Sequence, residues 1–541
     1  MRILATRLHL PCLLALGVTG AWLPLAAAQT PPDAGALIRQ IERDAGAQQP
    51  PRKTPELDGQ HTRTTPAPGG VQFDVKSFAF TGNHLIDSNE LAQVVVPWAG
   101  KRQDFAALQA AAAAVGEAYR ARGWIVRAFL PRQEVREGVV RIEVVEAHLG
   151  RIYVDGQAAG RVPLQTVENF VGARLRHGDL LATGALDRGL MLADDLPGVV
   201  VAGHLLAGST PGETDVALKL ADESLVIGEV TADNYGARST GSARIAGDVG
   251  LNSPLRFGDY VGGSVIHTRG SDYLRAEYTV PLGVQGIRLG ASVSSYRYKL
   301  LTAPFEALDT HGSSGSVGLR GSVPVIRARK VNFHVVASWD HRSFDNLANG
   351  VHVTRYAVDD LTIAFNGNVF DDLGGGGANA FGLALISSRV DLAGSPSAAA
   401  DAAGPNVGGT SAKVRVNLSR QQAVVDKFTL FASLSAQFSD RNQDSSEKFY
   451  LGGPYGVRAH LADCAAACTA CAAATRQRCR WLRRQWLGRG GPGWKRNWHR
   501  WRRHDRRWLV VSWQRRSGPR QQWLEWLRGC GRWRQWWRWQ R

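Results

Sequence analysis

Residues 428–438 read FTLFASLSAQF, and this stretch decides the fold class of the chain. Apolar residues occupy every second position and oppose a mostly polar set: Phe428, Leu430, Ala432, Leu434, Ala436 and Phe438 against Thr429, Ser433, Ser435 and Gln437. Successive side chains of a β-strand point to opposite faces. The stretch is therefore predicted to form a strand with one apolar and one polar face.

The same alternation recurs between residues 225 and 438, for example over 273–280, 333–339 and 413–419. About eleven such segments are present, each near the ~9–11 residues with which a tilted strand crosses a bilayer. A transmembrane antiparallel β-barrel explains the series best, because in lipid only a closed sheet pairs every backbone group. A large soluble β-protein is the alternative, but the apolar faces and the strand lengths favour the membrane.

The net charge of the chain comes from its last part. Of 541 residues, 65 are Lys or Arg and 47 are Asp or Glu, which gives a formal net charge of +18. Residues 461–541 hold 21 of the basic and 3 of the acidic residues, so the first 460 residues are neutral overall. The same tail holds 13 of the 17 Trp and five of the six Cys. The high charge therefore gives no reason to assign nucleic-acid binding to the body of the chain.

Residues 1–28 have the composition of a secretory signal peptide. Arg2 and Arg7 precede an apolar centre at 13–18, and the alanines at 26–28 form the predicted cleavage site. A membrane-spanning helix is the alternative, but prolines interrupt the run and it is shorter than the ~20 apolar residues that a span needs. The exported body before residue 461 contains no cysteine, so no disulfide framework is expected there.

Two α+β units are predicted ahead of the alternating strands, after a short amphipathic helix within 29–49 and a Pro- and Gly-rich linker at 50–70. Residues 71–148 follow the order β-α-α-β-β, with predicted strands at 73–80, 124–130 and 139–145 and helices at 87–96 and 105–122. Residues 149–222 repeat the same order. The two units are therefore predicted to be copies of one module.

Several motifs then occur in a fixed order along the chain. The first unit contains Tyr119, Gly123-Trp124, Leu130-Pro131 and Gly138-Val139-Val140, and the strand region begins with Asp233-Asn234-Tyr235-Gly236. Residues 449–458 read FYLGGPYGVR. Together these motifs resemble the outer-membrane transporters of two-partner secretion, which are the haemolysin and filamentous-haemagglutinin exporters within the Omp85 superfamily.

The resemblance implies a complete architecture. It implies α+β periplasmic polypeptide-transport-associated (POTRA) domains at 71–148 and 149–222, and a partial transmembrane β-barrel at 223–460. Residues 29–49 would form the helix that plugs the lumen in this family. The family's barrel has sixteen strands, and a loop folds inward after the eleventh. In this chain that loop corresponds to residues 449–460, and its motif residues are Gly452, Gly453, Val457 and Arg458.

The resemblance also implies a function and a set of partners. An unfolded exoprotein of the haemolysin or adhesin type would be captured by the POTRA domains and passed through a barrel embedded in outer-membrane lipid. An exposed sheet edge can bind an extended chain as an added strand. The predicted client-binding residues are Tyr119, Trp124, Val126 and Ala128, and packing within the domain core is the alternative role for them. Arg458 is expected to pair with a carboxylate of the barrel wall, or else to be a solvated loop residue.

The tail departs from the family pattern. The loop tip reads Val457-Arg458-Ala459-His460 instead of Val-Arg-Gly-Tyr, and residues 461–541 show no alternating series and no Phe-x-Asp-x-Gly motif. Out-of-frame translation after His460 is the leading hypothesis, and the resulting loss of the last strands is expected to impair secretion. Two alternatives are an Arg/Trp-rich segment that binds nucleic acid or anionic lipid, and an iron–sulfur site at Cys464, Cys468 and Cys471.

Enzyme motifs are missing from the sequence, which contains no P-loop, no HExxH and no GxSxG pattern. No catalytic residue, metal site or cofactor is therefore predicted, and the chain is not expected to be an enzyme or to bind nucleic acid. A factor that assembles other outer-membrane barrels is the second hypothesis for its function. Two units preceded by a plug helix favour secretion over assembly.

Overall fold

The computed structural model describes residues 32–46, 72–135, 137–157, 159–210, 212–303, 305–425, 428–450 and 507–516. The predicted signal peptide and linker lie outside these ranges, as does the inward loop from residue 451 onward. The first described element is helix α1 (Ala34–Gly46), and it falls where the sequence predicts an amphipathic helix.

The first α+β unit packs two helices against a three-stranded sheet. Its elements are β1 (Phe73–Val75), β2 (Ser77–Thr81), α2 (Ser88–Val95), β3 (Lys101–Gln103), α3 (Phe105–Ala121), β4 (Val126–Phe129) and β5 (Val139–Glu146). The sheet order is β2-β5-β4. The Asp87 side chain accepts a hydrogen bond from Asn89 N at 2.8 Å and the Asp104 side chain one from Ala107 N at 2.7 Å, so both helices begin at N-caps. Both predicted helices are confirmed.

One strand of this unit differs from its prediction. The sequence predicts a continuous strand over 73–80, but the structure divides it at Lys76 into β1 and β2. The two pieces have different partners, since β1 pairs with β3 whereas β2 pairs in parallel with β5. Alternation within one segment indicates that it is extended, but it carries no information about which neighbour each half pairs with.

The second α+β unit repeats the first. Its elements are β6 (His148–Val154), α4 (Leu164–Val171), α5 (Thr183–Asp194), β7 (Val199–Ala207) and β8 (Glu213–Asp222), and its sheet order is β6-β8-β7. Helices α4 and α5 pack closely at Gly189, where an added Cβ atom would lie 2.4 Å from Val171 O. The predicted repetition of one element order is thus confirmed.

Backbone hydrogen bonds join the two units. Ile125 N donates to Leu181 O at 3.1 Å, Leu181 N donates to Ala147 O at 2.8 Å, and Thr183 N donates to Gly123 O at 2.8 Å. Residues 123–125 therefore lie against the second unit immediately before strand β4 begins.

A large antiparallel sheet follows, and its strands are hydrogen-bonded in sequence order. Eleven of its strands precede the inward loop: β9 (Val226–Asp233), β10 (Arg244–Asn252), β11 (Tyr260–Thr268), β12 (Ser271–Leu282), β13 (Ile287–Lys299), β14 (His311–Arg327), β15 (Val331–Ala348), β16 (Val351–Asp371), β17 (Gly377–Asp391), β18 (Gly409–Val425) and β19 (Phe428–Ser439). Helix α6 (Ala398–Ala403) lies between β17 and β18. The predicted count of about eleven strands before the loop is confirmed.

The tail contributes one strand that the sequence analysis does not predict. Strand β20 (Arg507–Arg516) pairs antiparallel with β19 and makes a twelfth member of the sheet. Its sequence RWLVVSWQRR contains β-branched and aromatic residues, which favour extended structure. Within the described residues β9 and β20 are the two edges and are not paired with each other, so the sheet stays open.

The two faces of this sheet have opposite character. Many apolar side chains of the outer face are exposed, for example Leu274 at 55%, Leu319 at 54% and Leu361 at 57%. On the inner face Tyr296 and Phe344 are buried against α1, together with many polar residues. An apolar outside and a polar inside are typical of a barrel wall in a membrane.

No helix in the described part of the chain is long and apolar enough to span a membrane.

Candidate functional site

Helix α1 lies against the inner face of the large sheet. Leu37 and Ile38 are 3% and 0% exposed and pack in one cluster with tyrosines of the wall. Ala34 N donates to Asn346 Oδ1 at 2.9 Å, and Tyr298 OH donates to the same oxygen at 2.8 Å. The start of the helix is thus fixed to β15 by hydrogen bonds and its apolar side by packing.

The loop that follows β19 holds the same helix end from the other side. Ser445 Oγ donates to Asp33 Oδ2 at 2.8 Å, while Ala36 N donates to Asp33 Oδ1 at 2.9 Å. Gly35 permits this approach, because a Cβ atom there would lie 2.7 Å from Ser445 Oγ. Burial raises the pKa of Asp33 to about 6, and the nearby negative charge of Asp444 acts in the same direction.

Four buried charged side chains meet on the inner face beside α1, and we call them the lumen cluster: Arg342, Asp360, Lys413 and Glu447. They come from β15, β16, β18 and the 3-10 helix Ser445–Glu447. None of the four is among the site residues predicted from the sequence. Arg342, Asp360 and Lys413 occupy inner-face positions of alternating segments. A charged residue at such a position is the sequence signal that could have identified them.

The second α+β unit is fixed to the turns at one end of the sheet through α5. Arg327 donates from Nε and Nη2 to the two carboxylate oxygens of Asp195 at 2.8 and 2.9 Å, and Arg329 donates in the same way to Asp187 at 2.9 and 3.0 Å. Arg188 Nη2 donates to Pro324 O at 2.9 Å. Such two-point arginine–carboxylate pairs fix orientation as well as distance. We call the pairs Asp195–Arg327 and Asp187–Arg329 the α5 clamp.

Among the predicted client-binding residues, Tyr119 lies in the core of the first unit. It is 0% exposed, and its hydroxyl donates to Glu146 Oε1 at 3.1 Å. Burial raises the pKa of the Tyr119 hydroxyl, and the Glu146 carboxylate adds to this effect. In this structure no surface of Tyr119 is available to a client, so any effect on binding would act through the packing of the unit.

The other three predicted residues lie beside a free sheet edge. Trp124, Val126 and Ala128 are half-buried and pack against the same core. Strand β4 pairs with β5 on one side, and no other described strand pairs with it. Trp124 forms an isolated bridge with Ala182 of the second unit, so the open edge is limited to β4 itself. Client binding at these residues stays a prediction.

Replacing Tyr119 with phenylalanine is expected to lower the stability of the first unit by about 1 kcal/mol, because one buried hydrogen bond is lost. Glu146 keeps its bonds from His84 N and Leu85 N at 2.8 and 2.7 Å. Hydrogen exchange of β5 amides measures the change. Tyr153→Phe in the second unit is the matched control and should leave β5 unchanged. Equal exchange in wild type and Tyr119→Phe would contradict the hydrogen bond.

The predicted residues of the inward loop, Gly452, Gly453, Val457 and Arg458, lie outside the described residues. The pairing of Arg458 with a wall carboxylate therefore stays a prediction.

Known families match both parts of the chain. A model of the haemolysin secretion/activation proteins ShlB/FhaC/HecB matches residues 212–462, and a model of the ShlB-type POTRA domain matches residues 73–147. The heme/hemopexin transporter protein HuxB of Haemophilus influenzae is 26% identical over 449 residues, which cover 80% of this chain and 77% of HuxB. The outer membrane transporter CdiB of Dickeya dadantii is 24% identical over 401 residues, covering 72% and 69%.

A solved structure agrees with this assignment at the level of the fold. CdiB from Escherichia coli superposes with a TM-score of 0.52 at 24% sequence identity, covering 78% of this chain and 77% of CdiB. The apolar outer face, the helix within the sheet and the α+β units at one end fit this architecture. The chain belongs to the haemolysin secretion/activation family of ShlB, FhaC and HecB, the transporters of two-partner secretion in the outer membrane.

Proposed function

We propose that the α+β units of the chain bind an extended segment of a secreted exoprotein in the periplasm, and that the large sheet, when closed to the sixteen strands of the family, passes this segment through its lumen. One observation carries this proposal: helix α1 lies against an inner face that is rich in buried polar side chains, in a sheet whose turns at one end are bound to the second α+β unit. HuxB is named a heme/hemopexin transporter protein and a further relative, HpmB of Proteus mirabilis, a hemolysin transporter protein. We propose a large haemolysin or adhesin as the client of this chain.

Two sheet edges are suited to capture such a client. Strand β4 is four residues long, whereas β7 is nine residues long and pairs only with β8 among the described strands. Val201 N near the start of β7 donates to Asp194 Oδ1 at 2.9 Å, so the usable edge lies beyond it. Because backbone hydrogen bonds supply the affinity in strand addition, the longer edge offers more of them.

Passage requires α1 to leave its place on the inner face. The helix is thirteen residues long, and its described contacts with the wall are one small apolar stripe and a few hydrogen bonds at its start. A helix of this length has little stability by itself in water. The periplasm holds no ATP, and we propose that folding of the client outside the cell gives the transport its direction. No covalent chemistry is proposed for any step.

Photocrosslinking in cells tests where the client binds. A photoreactive residue replaces Arg127 on β4 or Leu206 on β7, both exposed, and the matched control replaces exposed Glu117 on α3. The host is a Gram-negative bacterium that also produces a candidate exoprotein of the haemolysin or adhesin type. We expect crosslinks to the exoprotein from both edges and none from Glu117.

The same experiment separates secretion from the assembly of other barrels. Crosslinks to precursors of outer-membrane proteins, instead of to the exoprotein, would favour an assembly factor. Equal crosslinking from Glu117 and from the two edges would contradict capture by strand addition.

A further inference from the structure

The lumen cluster is more deeply buried than any other charged group beside α1. The side chains of Arg342, Asp360, Lys413 and Glu447 are 7%, 6%, 0% and 2% exposed. Two carry a positive and two a negative charge, so the cluster is neutral as a whole. A buried charge is tolerated only when it is paired, and loss of one member leaves the others uncompensated.

Within the lumen cluster, Glu447 is the residue that contacts several strands of the wall. Its carboxylate lies 2.7 Å from Arg342 Nη2 and accepts a hydrogen bond from Lys413 Nζ. Its backbone oxygen accepts a hydrogen bond from Gln437 Nε2 at 3.0 Å. Three strands of the wall, β15, β18 and β19, therefore hold one residue of a loop.

The charge state of Glu447 follows from its neighbours. Burial acts to raise the pKa of Glu447, but the positive charges of Arg342, Lys413 and Arg39 outweigh it and hold this pKa at about 2. Glu447 is thus ionised at physiological pH. Arg342 Nε and Nη1 have no hydrogen-bond partner within the described residues, so this arginine depends on its contacts with Asp360 and Glu447.

The segment that carries Glu447 also contacts the helix. It comprises Asp444 and the 3-10 helix Ser445–Glu447, and we call these four residues the latch. Ser445 Oγ donates to Asp33 Oδ2 at 2.8 Å at the start of α1. The latch is internally fixed, since Ser446 N donates to Asp444 Oδ1 at 2.9 Å, and Ser446 is 0% exposed. One rigid piece of chain thus lies between α1 and the wall.

We infer that Glu447 is a positioning residue that keeps α1 in the lumen, acting through the latch. The lumen cluster holds Glu447 to the wall, and the latch transmits this attachment to the first turn of α1 through Ser445 and Asp33. Arg39 on the next turn of α1 adds attraction to the same carboxylate. The occupation of the lumen is therefore set by a charge on the loop after β19 as well as by the helix itself.

The inference goes beyond the proposed function, because it concerns the closed state and does not require that a client binds at the sheet edges. Failure of the edge crosslinks would leave it intact. Its test likewise needs no client, since the closed state is measured on the full chain alone.

Hydrogen exchange of the full chain in detergent micelles tests the inference. Glu447→Gln keeps the shape of the side chain and removes its charge. We expect amides 38–41 of α1 to exchange about fivefold faster, with no change in strands β13 to β16. In the double variant Glu447→Gln/Lys413→Met the carboxylate is still absent, so α1 is expected to exchange as fast as in Glu447→Gln.

Two further variants complete the test. Ser445→Ala breaks the helix side of the latch without touching the lumen cluster and is expected to release α1 in the same direction, even if Glu447→Gln does not fold. Lys330→Gln removes an ion pair whose partners are 69% and 88% exposed, and as the matched control it should leave α1 unchanged.

Three results would overturn the inference. The first is wild-type protection of α1 in both Glu447→Gln and Ser445→Ala. The second is a loss of protection in strands β13 to β16 as large as that in α1 in Glu447→Gln, which would make the lumen cluster a support of the wall only. The third is wild-type protection of α1 in the double variant, which would make an uncompensated buried charge, and not the attachment of Glu447, the cause of the release.

Discussion

The double variant Arg327→Asp/Arg329→Asp is expected to detach the second α+β unit from the large sheet, and to abolish secretion by a form of the chain whose sheet is closed by the remaining strands of the family's barrel. Each substitution breaks one pair of the α5 clamp and places a carboxylate against a carboxylate. The Asp187 and Asp195 side chains are 11% and 35% exposed, so water screens both pairs in part. We therefore expect about 2 kcal/mol for each pair, below the ~3–5 kcal/mol lost when one partner of a fully buried pair is removed.

Both losses together correspond to roughly a thousandfold change in the docking equilibrium, since each 1.4 kcal/mol is about tenfold. Hydrogen exchange of α5 and of the turn after β14 measures docking directly, and the amount of exoprotein in the medium measures transport. The control exchanges the charges at all four positions, which restores both pairs with reversed orientation and should restore docking. Unchanged protection of α5 in the double variant would contradict the role of the clamp.

Acidification is expected to hold α1 more firmly in the lumen. The pKa of Asp33 is about 6 in the docked helix and near 3.8 when Asp33 is free in water. A group with a raised pKa contributes stability that is complete below its ordinary pKa and is lost as the pH rises through the raised value. Between pH 7.5 and pH 5.0 the docked state should therefore gain about 1.4 kcal/mol, or about tenfold in its equilibrium.

The pKa of Asp33 depends on the charged and polar groups around it. Asp444 and Lys448 are its charged neighbours, and Tyr298, Tyr356 and Ser445 are its polar ones. Exchange of α1 amides at several pH values, corrected for the intrinsic pH dependence of exchange, measures the docking equilibrium. Asp33→Asn stays neutral, so its docking should not vary between pH 5.0 and 7.5. A wild-type helix that docks more weakly at pH 5.0 would contradict the prediction.

The sequence predicts where the helices and strands of this protein lie better than it predicts which strands pair with each other. Alternation over segments such as 428–438 is a local property, and it suffices to predict the strands before the inward loop. The order β-α-α-β-β is likewise visible, because helical and strand periodicities differ. The split at Lys76 is not, since it depends on whether a short segment pairs with β3 or with β5.

Prediction of the candidate site from the sequence has the same limit, because the contacts between distant residues are not visible in a local pattern. Inner-face charges such as Arg342 and Lys413 can be recognised from alternation, but their meeting with Glu447 depends on the register across four strands and on the path of a loop. The burial of Tyr119 depends on how α3 lies on the sheet. Strand β20 lies in the Arg- and Trp-rich tail, whose composition does not indicate an extended conformation.

The strands of the large sheet differ greatly in length, and this gives the wall an uneven height. Strand β9 has 8 residues and β16 has 21. At ~3.3 Å per residue these are about 26 and 70 Å long, and a tilt near 40° reduces the heights to about 20 and 54 Å. The hydrocarbon layer is ~30 Å thick. The short side is therefore subject to hydrophobic mismatch.

Because the turn after β14 is held by α5, the surplus length of the tall side extends outward from the cell. A polypeptide that leaves the lumen would therefore be shielded by the long strands on one side and exposed to solvent above the short strands on the other.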